Sequence, residues 1–125
     1  MGERKKILLV EDELDFAKMV KIRLESLGYE VSIAGDAYSG TQAIIKSTPD
    51  LIILDLMMPA GGGFSILERI RSIPAKATIP VVIVTGKTID DAVKEKAKAY
   101  GVSAIFSKPY DSVQFVQKIK ALLMP

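Results

Sequence analysis

Two patterns of apolar residues alternate along this chain. Short runs rich in β-branched residues read as strands at 5–10 (KKILLV), 29–34 (YEVSIA), 50–54 (DLIIL), 80–85 (PVVIVT) and 103–106 (SAIF). Between and after them, apolar residues recur at helical spacing over 14–27, 37–47, 64–73, 90–100 and 112–123. The punctuation agrees with this division. Gly28 and Gly101 stand where the first and fourth helices should stop, and Pro74 stands at the end of the third. Asp36 is placed to cap the second helix, and Asp111 lies near the start of the last. In the third helix Phe64, Leu67 and Ile70 fall on one face.

A strand–helix unit repeated five times predicts an α/β fold with a parallel sheet covered on both faces, since the strands are apolar nearly throughout. Right-handed crossovers reduce the topologies to a few. No linker, low-complexity stretch or long-period repeat interrupts residues 1–125, so one domain with a core over about 5–123 is expected.

Composition narrows the function classes. Hydrophobic residues make up 49% and charged residues 26% of the 125 residues, as in a globular domain. No apolar run nears the roughly 20 residues of a membrane helix. The start MGERKKILLVEDE has acids too early for a signal peptide, and Lys6 stands where a myristoylation pattern wants Ser or Thr. Cysteine is absent, which excludes disulfides and thiolate metal sites and is compatible with a cytoplasmic protein. Histidine is absent too, so the chain has no imidazole base and no phosphohistidine of its own. A net charge of +2 is too balanced to argue for nucleic-acid binding.

In an open parallel sheet ligands bind beyond the C-terminal strand ends, so the residues that close each strand matter most. The first strand ends in Glu11-Asp12, the third in Asp55, the fourth in Thr85-Gly86, and the fifth is followed by Lys108-Pro109. Each has an ordinary reading when taken alone: Asp12 as a helix cap, Asp55 as a turn residue, Thr85 as a strand residue, Lys108 as a solvated charge. Met57 and Met58 read as core filler, Gly61-Gly62-Gly63 as a flexible loop, and Lys94, Lys96 and Lys98 as a wet helix face with Asp90 set to pair with Lys94. The set as a whole rises above these readings. Two carboxylates about 4 Å apart repel by roughly 4 kcal/mol at an effective dielectric near 20, so three together call for a cation. Oxygen ligands without nitrogen or sulfur favour Mg²⁺ (or Mn²⁺) over zinc. A metal, a lysine and a hydroxyl around one spot suit a phosphoryl group, and a carboxylate beside them can be the nucleophile. Pro109 restricts the backbone of Lys108 and helps aim its ammonium.

The segments ILLVEDE, LIILDLMMP, VVIVTG and FSKPY stand in the order and spacing of a known family. The whole chain resembles a receiver domain of a two-component response regulator. That resemblance implies a flavodoxin-like doubly wound three-layer sandwich with strand order 2-1-3-4-5. It implies that Asp55 is the phosphoacceptor, taking phosphate from a sensor histidine kinase or a histidine phosphotransfer protein, in a domain that is not a separate enzyme but assists its own phosphorylation and dephosphorylation. Glu11, Asp12, Asp55 and the backbone carbonyl of Met57 match the Mg²⁺ ligands. Thr85 matches the switch hydroxyl, with Gly86 after it, and Lys108 matches the lysine that pairs with the phosphoryl group. The surface around the fourth helix, fifth strand and fifth helix is then expected to switch toward a downstream protein target or output domain, with homodimer formation left open and no direct contact with nucleic acid or membrane. Two positions depart from the family pattern. Ile105 replaces the usual tyrosine or phenylalanine, which questions an aromatic rotamer switch and predicts a side chain that stays buried. The aromatic Phe106 falls one residue later, on the other face of the strand. Gly62 replaces a common aspartate, which predicts an unusually mobile loop after Asp55.

Three rivals remain. TGKT (85–88) resembles the end of a phosphate-binding P-loop, but that pattern needs glycine where Val81 stands. A flavodoxin-like binding protein needs a phosphate loop after the first strand, where Glu11-Asp12-Glu13 would repel one. A degenerate receiver serving only as an interaction module is the alternative that Ile105 keeps open. Nothing after Leu123 reads as an output domain, so the output and the cognate kinase are not legible.

Overall fold

A computed structural model describes residues 3–58, 62–86, 88–108 and 112–124. The described elements are β1 (Lys6–Val10), α1 (Leu14–Glu25), β2 (Glu30–Ala34), α2 (Ala37–Lys46), β3 (Leu51–Leu54), α3 (Gly62–Arg71), a 3-10 turn (Pro74–Lys76), β4 (Val81–Thr85), α4 (Asp91–Ala99), β5 (Ala104–Ser107) and α5 (Ser112–Leu123). All four strand pairings are parallel, as the apolar strands predict, and the order is β2-β1-β3-β4-β5, as the family resemblance implies. Element ends differ from the expected ones by a residue or two.

Strand alternation sorts the core into two layers. Leu8, Val10, Ile52, Leu54, Val81 and Ile83 point to the side that packs against Ile44 of α2, Ile66, Leu67 and Ile70 of α3, and Val93 and Ala97 of α4. Ile7, Leu9, Leu51, Ile53, Val82 and Val84 point to the side of α1 and α5, against Val20, Leu24, Phe115 and Ile119. Each fully buried aliphatic side chain contributes about 1.5–3 kcal/mol over its exposed state. Placing both faces under helices therefore outweighs any single local preference. Ile105 and Phe106 fall on opposite faces, as expected. Phe106 meets Phe115 edge-on at 5.5 Å between ring centroids, and Ile105 packs against the α2–α3–α4 layer. Ile105 is only half-buried, however, because β5 is an edge strand that no further strand covers.

The predicted stops hold. Gly28 and Gly101 adopt φ of +98° and +69°, a left-handed conformation that side chains resist. Asp36 caps α2 by accepting the N–H of Ser39 at 2.7 Å, which holds its carboxyl below the usual aspartate value. Three readings change. Asp90 does not sit inside α4 as a partner for Lys94; it is the N-cap, and its carboxylate accepts the N–H of Val93 at 2.9 Å. Pro74 ends the third helix but opens the 3-10 turn, which the apolar pattern does not reveal. Gly62 and Gly63 are not loop residues: both are buried and already belong to α3, while Gly61 lies outside the described residues.

Arg71, the last residue of α3, ties three segments together. Its Nε donates to the Tyr100 carbonyl at 2.7 Å, Nη1 to those of Ala77 and Ile79 at 2.9 Å each, and Nη2 to that of Gly101 at 3.4 Å. The end of α4 and the approach to β4 are thereby fixed to α3. No described helix is long and apolar enough to cross a membrane.

Candidate functional site

Register brings the strand ends together. Val10 pairs with Leu54 and Leu54 with Ile83, so Glu11 and Asp55 lie one step past neighbouring strands and Thr85 ends the next. Backbone bonds extend the alignment: the N–H of Glu11 reaches the Ala34 carbonyl at 3.0 Å and that of Asp55 the Val10 carbonyl at 3.1 Å. On the far side, the N–H of Lys108 donates to the Thr85 carbonyl at 2.8 Å, which fixes the start of the Lys108 side chain.

Asp55 is 3% exposed, Glu11 is 2% exposed and Thr85 is fully buried. Asp12 is exposed. One carboxylate oxygen each from Glu11, Asp12 and Asp55 lies within 4.8 Å of the others, so the three acids share one spot. An oxygen-only donor set with one member open to water fits a hard divalent cation that keeps part of its water shell. The Nζ of Lys108 lies 2.6 Å from Glu11 Oε1, 2.9 Å from Glu13 Oε1 and 3.3 Å from Asp55 Oδ2. It also stands 4.3 Å from the centre of the Phe16 ring. Two backbone N–H groups complete the arrangement: Met57 donates to Asp55 Oδ1 at 2.9 Å and Glu13 to Glu11 Oε2 at 3.0 Å.

The local electrostatics have one cause, an excess of acid over base. Burial pushes the Glu11 carboxyl up to about 7; Lys108 and the Glu13 N–H pull against this, and Asp55 adds to the rise. Burial alone would lower the Lys108 ammonium, but Glu11, Glu13 and Asp55 together hold it well above the ordinary lysine value. One lysine does not balance the acids around it, and the site has room for a further positive charge.

The predicted site residues that the structure describes converge as the strand ends suggested: Glu11, Asp12, Asp55, Thr85 and Lys108 meet on one edge, with Gly86 directly after Thr85. Gly86 is exposed, and a Cβ built there meets nothing within 4 Å. Met57 does not fill the core: its side chain is 56% exposed, while Met58 is buried. Met57 stands where the chain turns outward, so its contribution to the site is its backbone. Ile105 lies on the α4 side of β5, in register with Ile83 and two strands from Asp55. Pro109 lies outside the described residues. Sequence reasoning missed Glu13 and Phe16 as neighbours of Lys108. The acidic triplet Glu11-Asp12-Glu13 was a signal for the first, but the bend that turns its outer members onto one lysine is not a pattern in the sequence.

A doubly wound sheet with three acids, a threonine and a lysine on its C-terminal edge defines a class, the open α/β domains that bind anions and metals at the strand ends. The sequence matches the family described as the response regulator receiver domain over residues 7–120, and the chain belongs to that family. Among curated relatives it is 36% identical to the response regulator ArlR of Staphylococcus saprophyticus over 118 residues, covering 94% of this chain and 52% of that protein. The chain thus spans about half the length of the curated relatives it matches. Among solved structures, the signal receiver domain of a DNA-binding response regulator from Colwellia psychrerythraea superposes with a TM-score of 0.87 at 36% identity, over 95% of this chain and 98% of that one. The chemotaxis protein CheY4 of Vibrio cholerae superposes with a TM-score of 0.88 at 27% identity, over 97% and 100%.

Proposed function

We propose that this receiver domain accepts a phosphoryl group on Asp55 from the phosphohistidine of a sensor histidine kinase or a histidine phosphotransfer protein. The observation that carries this reading is the setting of Asp55: a carboxylate 3% exposed at the end of β3, 3.3 Å from Lys108, with ligand oxygens of Glu11 and Asp12 beside it. A carboxylate oxygen of Asp55 attacks phosphorus, the phosphorus–nitrogen bond of the donor breaks, and the imidazole keeps the electron pair and takes up a proton. The product is an acyl phosphate, and attack of water on its phosphorus returns the carboxylate and free phosphate.

Each residue has a physical task in that exchange. Lys108 neutralises charge on the phosphoryl oxygens, which is the main requirement of phosphoryl transfer. The Met57 N–H holds Asp55 Oδ1 and so orients the carboxylate. Glu11, Asp12, Asp55 and the Met57 carbonyl are the groups that would hold Mg²⁺ (or Mn²⁺), which when bound supplies the positive charge the site lacks. Thr85, which closes β4 beside β3, supplies the hydroxyl, and Gly86 after it a backbone N–H, for the phosphoryl oxygens. The domain is a phosphoacceptor that assists its own phosphorylation and hydrolysis rather than an enzyme with a separate substrate.

Phosphorylation adds about −1.5 to −2 charge and new acceptor oxygens at this edge. The readout runs from Thr85 into the loop before α4, and through the Lys108–Thr85 backbone link into β5 and α5. That surface then meets a downstream protein or an output domain. Ile105 is β-branched and stiff, with no polar tip to hold outside, so it carries little of the change.

The test is incubation with Mg²⁺ and acetyl phosphate, followed by intact mass measurement. One adduct, labile to acid and base, is expected on the wild type and none on Asp55→Asn, which keeps the fold. Full labelling of Asp55→Asn at another residue would sink the assignment. A wild type that takes no adduct at all would leave only the interaction-module reading.

A further inference from the structure

Lys108 has three N–H donors and three acidic partners, and the partners differ in what they lose when the lysine turns away. The carboxylates of Glu11 and Asp55 are 1% and 3% exposed, so without the ammonium each keeps one backbone N–H and gains almost no water in its place. The Glu13 side chain is 66% exposed, and water replaces the ammonium at once. A phosphoryl oxygen arriving at Asp55 needs one of these donors. The backbone adds a second observation. Glu13 is the N-cap residue of α1, yet its side chain makes no capping hydrogen bond; it reaches 2.9 Å to Lys108 instead. Phe16, three residues along, keeps its ring face 4.3 Å from the ammonium, a wall that stays in place whichever acid is released.

We propose that Glu13 is the exchangeable partner of Lys108: a positioning residue that holds the ammonium over the site at rest and yields it to the incoming phosphoryl oxygen. This rests on the reading of Asp55 as acceptor. Glu13 then sets how readily the site engages a phosphoryl group, because every engagement must first displace it. It also becomes a free acid at the start of α1 only in the phosphorylated state.

The experiment compares the wild type with Glu13→Gln and with Asp15→Asn, which removes the same charge from the first turn of α1 at a residue that is not among Lys108's ion-pair partners. Two quantities are read: the dissociation constant for beryllofluoride at saturating Mg²⁺, and the side-chain NMR signals of Lys108 with neither ligand present. Glu13→Gln should tighten beryllofluoride binding roughly two- to fivefold, the range of an exposed ion pair. It should also move the Lys108 signals before any ligand is added, while Asp15→Asn changes neither. An unchanged or weakened affinity in Glu13→Gln overturns the proposal, as does an equal gain in Asp15→Asn, which would reduce the effect to general charge. A wild type that binds no beryllofluoride overturns the acceptor reading itself, and the Lys108 signals still report whether Glu13 holds the lysine.

Discussion

Lys108 stands among three carboxylates at the C-terminal edge of the sheet, while Arg71 stands among four carbonyls where α3 ends. Both are cations drawn partly out of water, and their surroundings shift them in opposite directions. Acids hold the Lys108 ammonium up; burial without a carboxylate moves the Arg71 guanidinium down. The difference separates a place built for exchange from a place built to stay. Metal ions compete with lysine for carboxylates, and phosphoryl oxygens compete with carboxylates for lysine. Half-covered backbone carbonyls attract neither metal ions nor phosphoryl groups at such a place, so the planar fork of Arg71 acts as permanent structure.

The sharpest test of this contrast is Arg71→Ala. It strands the part-buried carbonyls of Ala77, Ile79 and Tyr100, and the expected loss is on the order of 2–4 kcal/mol by urea denaturation. Mg²⁺ should not restore it, and labelling of the folded fraction by acetyl phosphate should continue. Recovery by Mg²⁺ would erase the distinction between the two places. Lys108→Ala should lose less, about 1–3 kcal/mol at neutral pH, because Glu11, whose carboxyl is already pushed up to about 7, takes up a proton rather than staying a buried unpaired charge. Here added Mg²⁺ should restore most of the loss, because it supplies the missing positive charge, and it should raise the melting temperature of the wild type by a smaller amount. A Lys108→Ala protein that ignores Mg²⁺ would mean that the acids do not share a cation site. The smallest effect belongs to an acid near neither cation. Asp36 has a folded pKa below its ordinary value of 3.8, so its contribution is complete above that value. It disappears as the pH falls through the lower folded value. Asp36→Asn should flatten this part of the acid-stability profile and leave the response to Mg²⁺ untouched.

What the sequence conveyed follows the range over which each interaction acts. Strands and helices are periodic, and strand ends are single positions, so the layers and the residues Glu11, Asp12, Asp55, Thr85 and Lys108 that close the strands were legible; the strand order that brings them together followed only from the family resemblance. Asp36 and the two stop glycines were legible because caps act within three or four residues. Arg71 was not. It lies in a run, ERIRSI, that reads as any amphipathic helix end, and its carbonyl partners are up to 30 residues away and carry no side-chain signature. Asp90 was misread because a capping acid and an i,i+4 pair require the same residue types, and only the backbone dihedral decides between them. Gly62 and Gly63 suggested a loop by composition, whereas close approach to Asp55 and Leu56 is what demands glycine there. Ile105 was expected to be buried from its apolar side chain, but burial depends on whether another strand lies alongside, and none does.

Those two glycines set how closely α3 approaches Asp55. A Cβ on Gly63 would stand 2.7 Å from the Asp55 carbonyl oxygen and 3.1 Å from Leu56 Cα, and one on Gly62 would stand 2.7 Å from the Leu56 carbonyl oxygen. Helix α3 is therefore seated directly on the main chain of Asp55 and Leu56, with no side chain between them to act as padding. Across the site, Gly86 has empty space on the side where a Cβ would project. One shoulder of the site behaves as an anvil and the other as a spring. Under the proposed phosphorylation of Asp55, displacement is expected to find no give toward α3 and to run the other way, along β4 into the segment that leads to α4.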